Sequence, residues 1–329
     1  MGYRAHKINA EKKEKRVKRI ALSVIAFLVL ALLIFAAACP PETWKYYVAL
    51  PKIEKRAEGE LRMHFIDVGQ GDCTVIELPD GKVMMIDGGD NSAETKKQIL
   101  RYLNALQIDV IDYLIITHAD KDHCGGIDEV VKWKKVLNAY LPTASKTNDG
   151  EYAEAYTALA ESECNLIQAS RLVAFPQNEE ELYKLAFLYP YAGSEYENDN
   201  AASSVLWLDF MGVSALFMGD APQEVETLLI RDDKLGFLDA MGVALDSTEI
   251  VKVAHHGSGY SSSTAFLEYL NVETAVVSCG KDNPYGHPSD RVLTDLEAVG
   301  SNVYRTDEDG HIIITVSAEK EVLVTTLEK

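Results

Sequence analysis

An apolar run, Tyr113-Leu114-Ile115-Ile116-Thr117, stops abruptly at His118, Asp120, Asp122 and His123, and Cys124, Gly125 and Gly126 follow at once. The segment from Asp112 to Thr117 is short, rich in β-formers and almost unbroken in its apolar character, which predicts a strand buried on both faces. Side chains that emerge at the end of such a strand stand where α/β proteins place their chemistry. Imidazole and carboxylate at spacings of two and one converge on one or two divalent cations, and Gly125-Gly126 lets the backbone fold tightly beneath them. Left unpaired beside a buried strand, the same four groups would be costly, so the pattern reads as a metal site.

Further pieces stand out in order along the chain: Phe65-Ile66-Asp67-Val68-Gly69-Gln70-Gly71-Asp72, Met85-Ile86-Asp87-Gly88-Gly89, Met218-Gly219-Asp220, His255-His256-Gly257-Ser258 and Asn283-Pro284-Tyr285-Gly286-His287-Pro288. Of eight histidines, five fall at 118, 123, 255, 256 and 287, and only those at 6, 64 and 311 lie elsewhere. Clustering of this kind favours ligation over packing. Taken together from residue 61 to 316, the set resembles the metallo-β-lactamase superfamily, whose usual motif is His-x-His-x-Asp-His. Asp120 stands where the second His of that motif would be, a variant similar to the hydrolase domain of ComEC-type competence proteins. The order of strands and helices suits an α/β sandwich of two sheets. The resemblance narrows this to the four-layer αββα arrangement of the superfamily.

Within that frame His118 and Asp120 are expected on one ion and Asp122 and His123 on the second, with Asp220 bridging from its strand end. One of His255 and His256 should complete the second site, because adjacent strand residues point to opposite faces; His255 is the choice made here. The further His ligand of many superfamily members has no counterpart near Ser194–Asn200, so Asn198, Asp199, Asn200 or water stands in. Asp67 and Asp87 are expected either to brace the ligands or to cap turns. A carboxylate in place of an imidazole hardens the first site, shifting its preference from Zn²⁺ towards Mn²⁺ or a mixture. Two divalent ions lower the pKa of a shared water and hold substrate oxygens for in-line displacement, which is phosphodiester chemistry. His256 or His287 then protonates the leaving oxygen. Ser258, Ser261, Lys281 and Asn283 are expected to hold non-bridging oxygens, and the run Ser261–Thr264, opening a helix, to seat an anion.

The N-terminus has a different character. Basic residues from Lys12 to Arg19 precede an uncharged run from Ile20 to Cys39, long enough to span a bilayer. Their position predicts residues 1–19 in the cytoplasm, a membrane anchor over 20–39, a linker over 40–60, and a hydrolase domain over 61–329 outside. Ala36-Ala37-Ala38-Cys39 also has the form of a lipoprotein cleavage site with Cys39 lipidated. The first 19 residues carry eight Lys or Arg against two acids, so the rest of the chain holds more than the whole net charge of −19. So acidic a surface repels a long nucleic acid, which draws most of its affinity from a basic track. The expected partner is therefore a phosphodiester, short or single-stranded if it is nucleic acid, and gripped locally by metal. No obligate protein partner is evident. Five cysteines lack framework spacing, which argues against a disulfide scaffold. A lactam- or lactone-type hydrolase and a non-catalytic metal-binding sensor are the alternatives. The first is weakened by Asp120, the second by retention of nearly every ligand.

Elsewhere the periodicity predicts a helix capped by Ser92, a helix over Ile127–Leu137, strands over Asn165–Gln168 and Leu172–Phe175, paired strands about Met211-Gly212, and a terminal hairpin turning at Glu308-Asp309-Gly310.

Overall fold

The computed structural model describes residues 2–38, 41–143, 150–175 and 182–328, in two compact units that divide between Ala49 and Leu50. In the first unit α1 (Gly2–Ala38) is one unbroken helix, since from Ile20 onward no Gly or Pro interrupts it and no polar face forms. Its segment Lys12–Ala37 is long and apolar enough to cross a membrane. The short α2 (Pro41–Trp44) follows. Cys39, the expected lipidation position, lies outside the described residues.

The second unit is built on strands β1 (Leu61–Phe65), β2 (Thr74–Glu77), β3 (Val83–Ile86), β4 (Val110–Ile115), β5 (Lys135–Leu141), β6 (Asn165–Gln168), β7 (Tyr183–Tyr189), β8 (Val205–Phe210), β9 (Val213–Phe217), β10 (Ile250–Lys252), β11 (Thr274–Val277), β12 (Asn302–Arg305), β13 (His311–Val316) and β14 (Val322–Leu327). They form one sheet in the order β14-β13-β1-β2-β3-β4-β5-β6 and a second in the order β12-β11-β10-β9-β8-β7. The two sheets face each other across one apolar core, in which Met63, Phe65 and Ile115 of the first meet Leu206, Phe217 and Val276 of the second. Phe65 and Phe217 stack across it with ring centroids 6.2 Å apart.

Helices cover the outer faces. α3 (Ala93–Ala105) is capped by the Ser92 side chain, which accepts from Thr95 N, and it buries Ile99, Tyr102 and Leu103. α4 (Lys121–Cys124), α5 (Ile127–Trp133) and α6 (Gly150–Glu161) follow in this half. On the second sheet α7 (Gln223–Lys234), α8 (Thr264–Leu270) and α9 (Asp290–Ala298) pack Val225, Leu229, Phe266, Leu267, Val292 and Leu296 against Leu216, Val251 and Val277. The layers are thus helix, sheet, sheet, helix, the αββα arrangement expected. Because β3, β4 and β5 run parallel, as do β9, β10 and β11, strand ends of like polarity gather at one rim. The loops there carry Asp87, His118, Asp220 and the 255–256 pair.

Three local expectations are corrected. The helix starting at Ile127 ends at Trp133, and Val136 and Leu137 belong to β5, where Val136 pairs with Ile111. A short apolar run obeys both periods, and the open edge of β4 decides for strand. Residues 172–175 form no strand; Leu172 is exposed with a left-handed φ of 74°. Glu308-Asp309-Gly310 is not a hairpin turn, because α10 (Thr306–Asp309) carries the chain from β12 in one sheet to β13 in the other. The terminal hairpin is β13–β14.

Candidate metal centre

Six loops meet at the rim. His118 leaves β4, and its Nδ1 lies 3.0 Å from the Thr117 hydroxyl. His123 sits on α4 with Nδ1 2.7 Å from Asp87 Oδ2, while Asp87 accepts from Thr117 N at 2.8 Å and from its hydroxyl at 2.7 Å. His256 Nδ1 lies 2.9 Å from the Ser278 carbonyl. Each ring is therefore held by one nitrogen, and the Nε2 of each is left facing the same carboxylate, Asp220. That is how protein groups orient imidazoles for a metal. The tight fit of these loops depends on glycine: a Cβ on Gly126 would run into the carbonyl of Gly88, locking the 118–126 loop to the strand end that carries Asp87.

Asp220 Oδ1 lies 3.2 Å from His123 Nε2, and Oδ2 lies 3.7, 3.6 and 3.8 Å from the Nε2 atoms of His118, His255 and His256. Asp120 Oδ2 is 3.6 Å from His118 Nε2, and Asp122 Oδ2 is 3.4 Å from His256 Nε2. Donors each about 2.1 Å from a common cation stand roughly 3–3.5 Å apart, so these spacings are those of a ligand shell. Asp72, His123, Asp220 and His256 alone bring four donor atoms within 4.8 Å of one another. Their buried atoms Asp72 Oδ1, His123 Nε2, Asp220 Oδ1 and His256 Nε2, together with His118 Nε2, have no hydrogen-bond partner. Buried polar atoms are rarely left so, and divalent cations bound among them would supply the missing partners.

The electrostatics point the same way. Burial works against charge on His256, yet Asp220 and Asp72 push it up to about 10. His123 is also raised well above its usual value, burial being outweighed by Asp220 and Asp87. Burial would raise Asp220, but His123 and His256 hold it well below the usual carboxylate range. Asp122 is lowered as well, with His256 prevailing over burial. The pocket concentrates negative charge and draws protons where an ion would compete for the same lone pairs.

Of the expected residues, His118, Asp120, Asp122, His123, Asp220, His255 and His256 are gathered here. The premise behind choosing His255 over His256 does not hold. Strand β10 ends at Lys252, and both histidines sit in a tight turn with left-handed φ of 51° and 53°, so both reach Asp220. His287 lies at the rim, its ring 5.5 Å from that of His255, and burial lowers its pKa. Lys281 is exposed beside it in a groove of about 590 Å³. Ser261 and Asn283 are committed to the protein, and Ser258 is buried. Ser258 Oγ accepts from Tyr260 N at 3.3 Å, and Ser261 Oγ donates to the Ala221 carbonyl at 2.9 Å. The Asn283 amide donates to the carbonyls of Gly280 and His287 and accepts from the N–H groups of Tyr285 and His287. The anion seat expected before α8 is already filled, by Glu226 of α7. Its carboxylate accepts from Ser262 N, from Ser263 N at 2.8 Å and from Ser263 Oγ at 2.6 Å.

Two residues were missed. Asp72 belongs to a motif noted above, yet its place beside His256, with Oδ1 3.2 Å from Nδ1, had not been assigned. Lys252 Nζ pairs with Asp72 Oδ2 at 2.6 Å, both side chains almost fully buried. A signal existed: Lys252 is the one charge in Ile250-Val251-Lys252-Val253-Ala254, and a lysine buried in a strand needs a buried counter-charge.

A sequence model of the metallo-beta-lactamase superfamily matches residues 66–281. The chain is 30% identical to ComE operon protein 3 of Bacillus subtilis, over 78% of its own length and 33% of the relative's. It is 29% identical to competence protein ComA of Neisseria gonorrhoeae, over 77% of its own length and 32% of the relative's. It thus spans about a third of the length of these curated relatives. The metallo-beta-lactamase fold protein YhfI from Bacillus subtilis shares its fold, with a TM-score of 0.50 at 10% identity over 78% of this chain and 100% of YhfI. With the family's sequence pattern over most of its length, and with the expected two-sheet fold, the chain belongs to the metallo-β-lactamase superfamily.

Proposed function

We propose that the protein is a membrane-tethered, metal-dependent phosphodiesterase with its catalytic unit on the extracytoplasmic side. The observation that carries this reading is the set of buried, unpartnered donor atoms that His118, His123, Asp220, His256 and Asp72 turn towards one another. Asp122, His123 and His256 would hold one divalent ion and His118, Asp120 and His255 the other, with Asp220 between them. His255 then supplies the donor that no histidine near residue 198 provides. The harder oxygen donor at Asp120 favours Mn²⁺, or Zn²⁺ with Mn²⁺. When bound, such ions supply a water ionised near neutral pH and positive charge for a phosphoryl oxygen.

The remaining steps fall to the chain itself. Asp87 and the Ser278 carbonyl keep His123 and His256 in the ring orientation and tautomer that leave Nε2 free. His287, whose ring stands at the rim beside His255, would give a proton to a leaving oxygen. Lys281, exposed in the groove beside His287, would offer a positive charge to the substrate. Names such as competence protein ComA, among the relatives, support a nucleic-acid substrate. The acidity of the second unit restricts it to a short or single-stranded one. The test is Mn²⁺-activated hydrolysis of bis(p-nitrophenyl) phosphate by the purified protein, expected to disappear in Asp122→Ala. Undiminished turnover in that variant would refute the assignment.

A further inference from the structure

Beside the ligand cluster a cleft of about 1050 Å³ opens, with Asp120, Asp220 and His255 at its floor. Its walls come from the loop before β8, from the start of α7 and from Tyr260. Glu195, Glu197, Asp199 and Glu224 line it, and among the described residues no Lys or Arg does. At the floor, Asp220 is almost fully buried and its Oδ1 has no hydrogen-bond partner, so the cleft leads directly to the unsatisfied donors. At the wall, Tyr260 is 82% exposed, a large apolar ring left in solvent at the mouth. The groove beside His287 is lined by Lys281 and Arg305 together with Asp282, Asp307 and Glu308; Arg305 is paired with Asp307 and Glu308, which leaves Lys281 as its exposed cation.

These features define what enters. A carboxylate wall repels a phosphate but accepts hydrogen bonds from the N–H and O–H groups of a base and a sugar. An exposed tyrosine ring is a platform on which a base stacks without regard to its identity. We propose that this cleft is a subsite for a terminal nucleoside, one with no phosphate beyond it, and that the phosphate-bearing remainder of the substrate leaves past Lys281. The inference rests on the phosphodiesterase reading and refines its substrate class. A chain continuing through the cleft would bring its next phosphate against Glu195 and Glu197, so the site prefers short substrates with an uncharged end.

The test compares four substrates with the whole, Mn²⁺-supplemented protein: bis(p-nitrophenyl) phosphate, a dinucleoside monophosphate with free hydroxyls at both ends, and the same dinucleotide phosphorylated at the 3′ end and at the 5′ end. One of the two terminal phosphates is expected to lower kcat/KM at least tenfold. The double variant Glu195→Lys/Glu197→Lys should abolish that penalty while leaving the chromogenic rate unchanged. Tyr260→Ala should raise KM for the dinucleotide with little change in kcat, and Tyr260→Phe should not. Equal rates on all dinucleotides, with the chromogenic diester still turned over, would overturn the subsite alone. Absence of all four activities in the wild-type protein would overturn the phosphodiesterase reading, and the subsite with it.

Discussion

Two regions of the second unit place a buried carboxylate beneath serine- or histidine-rich loops, and they end in opposite states. At the start of α8, Glu226 is buried and both of its oxygens accept hydrogen bonds from Ser262 and Ser263. At the rim, Asp220 is equally buried, yet one of its oxygens and the facing nitrogens of three histidines have no hydrogen bond. Both regions read as ligand sites in the sequence. The first has its anion built in and is structure; the second keeps its valences open, as a metal site would. The lesson is that a buried polar cluster is informative in proportion to what it leaves unsatisfied.

The sharpest way to break this contrast is at its boundary, where Lys252 half-satisfies the open site through Asp72. Lys252→Met leaves a buried carboxylate without its counter-charge and is expected to cost about 3–5 kcal/mol in a denaturant melt of the metal-free protein. The double variant with Asp72→Asn should recover most of that loss. A smaller effect is expected at the support of a ligand. Asp87→Asn keeps the shape but removes the charge that orients His123, and metal affinity measured by competition with a chelator should fall roughly 10–100-fold.

The satisfied region should respond in stability alone. Glu226→Ala strands the Ser262 and Ser263 N–H groups at a cost of about 1–3 kcal/mol, with metal content unchanged. Glu226→Gln should cost less, and it also isolates a pH effect. Burial raises the Glu226 pKa despite its hydrogen bonds to Ser263 and Ser262. As pH rises above the ordinary glutamate range the unfolded chain ionises first, so this residue lowers stability until pH passes its folded value. The Gln variant should lack that decline; an unchanged pH slope would assign it to other groups.

Most of the site was legible because metal ligands must be particular residue types at particular spacings, and strand ends announce themselves as apolar runs cut off by charge. His118, Asp120, Asp122, His123 and Asp220 were identified on that basis. The choice between His255 and His256 was not legible, since it turns on two left-handed residues after a strand shorter than its apolar run predicted. Ser261 and Asn283 looked like phosphate holders because hydroxyls and amides serve loops and ligands equally well. Only their hydrogen bonds to Ala221, Gly280 and His287 show which they serve here.

The sequence by itself determined the residue chemistry: an apolar helix at the N-terminus, two strand-rich halves, and acid and imidazole clusters at strand ends. These follow from local period and side-chain type, which need no knowledge of distant residues. The tertiary structure alone decided the partnerships, such as Lys252 with Asp72 across 180 positions, Glu226 in the seat before α8, and β12 and β13 in different sheets. A buried charge takes its meaning from whichever group packs beside it, and that neighbour is set by the meeting of two sheets rather than by adjacency along the chain.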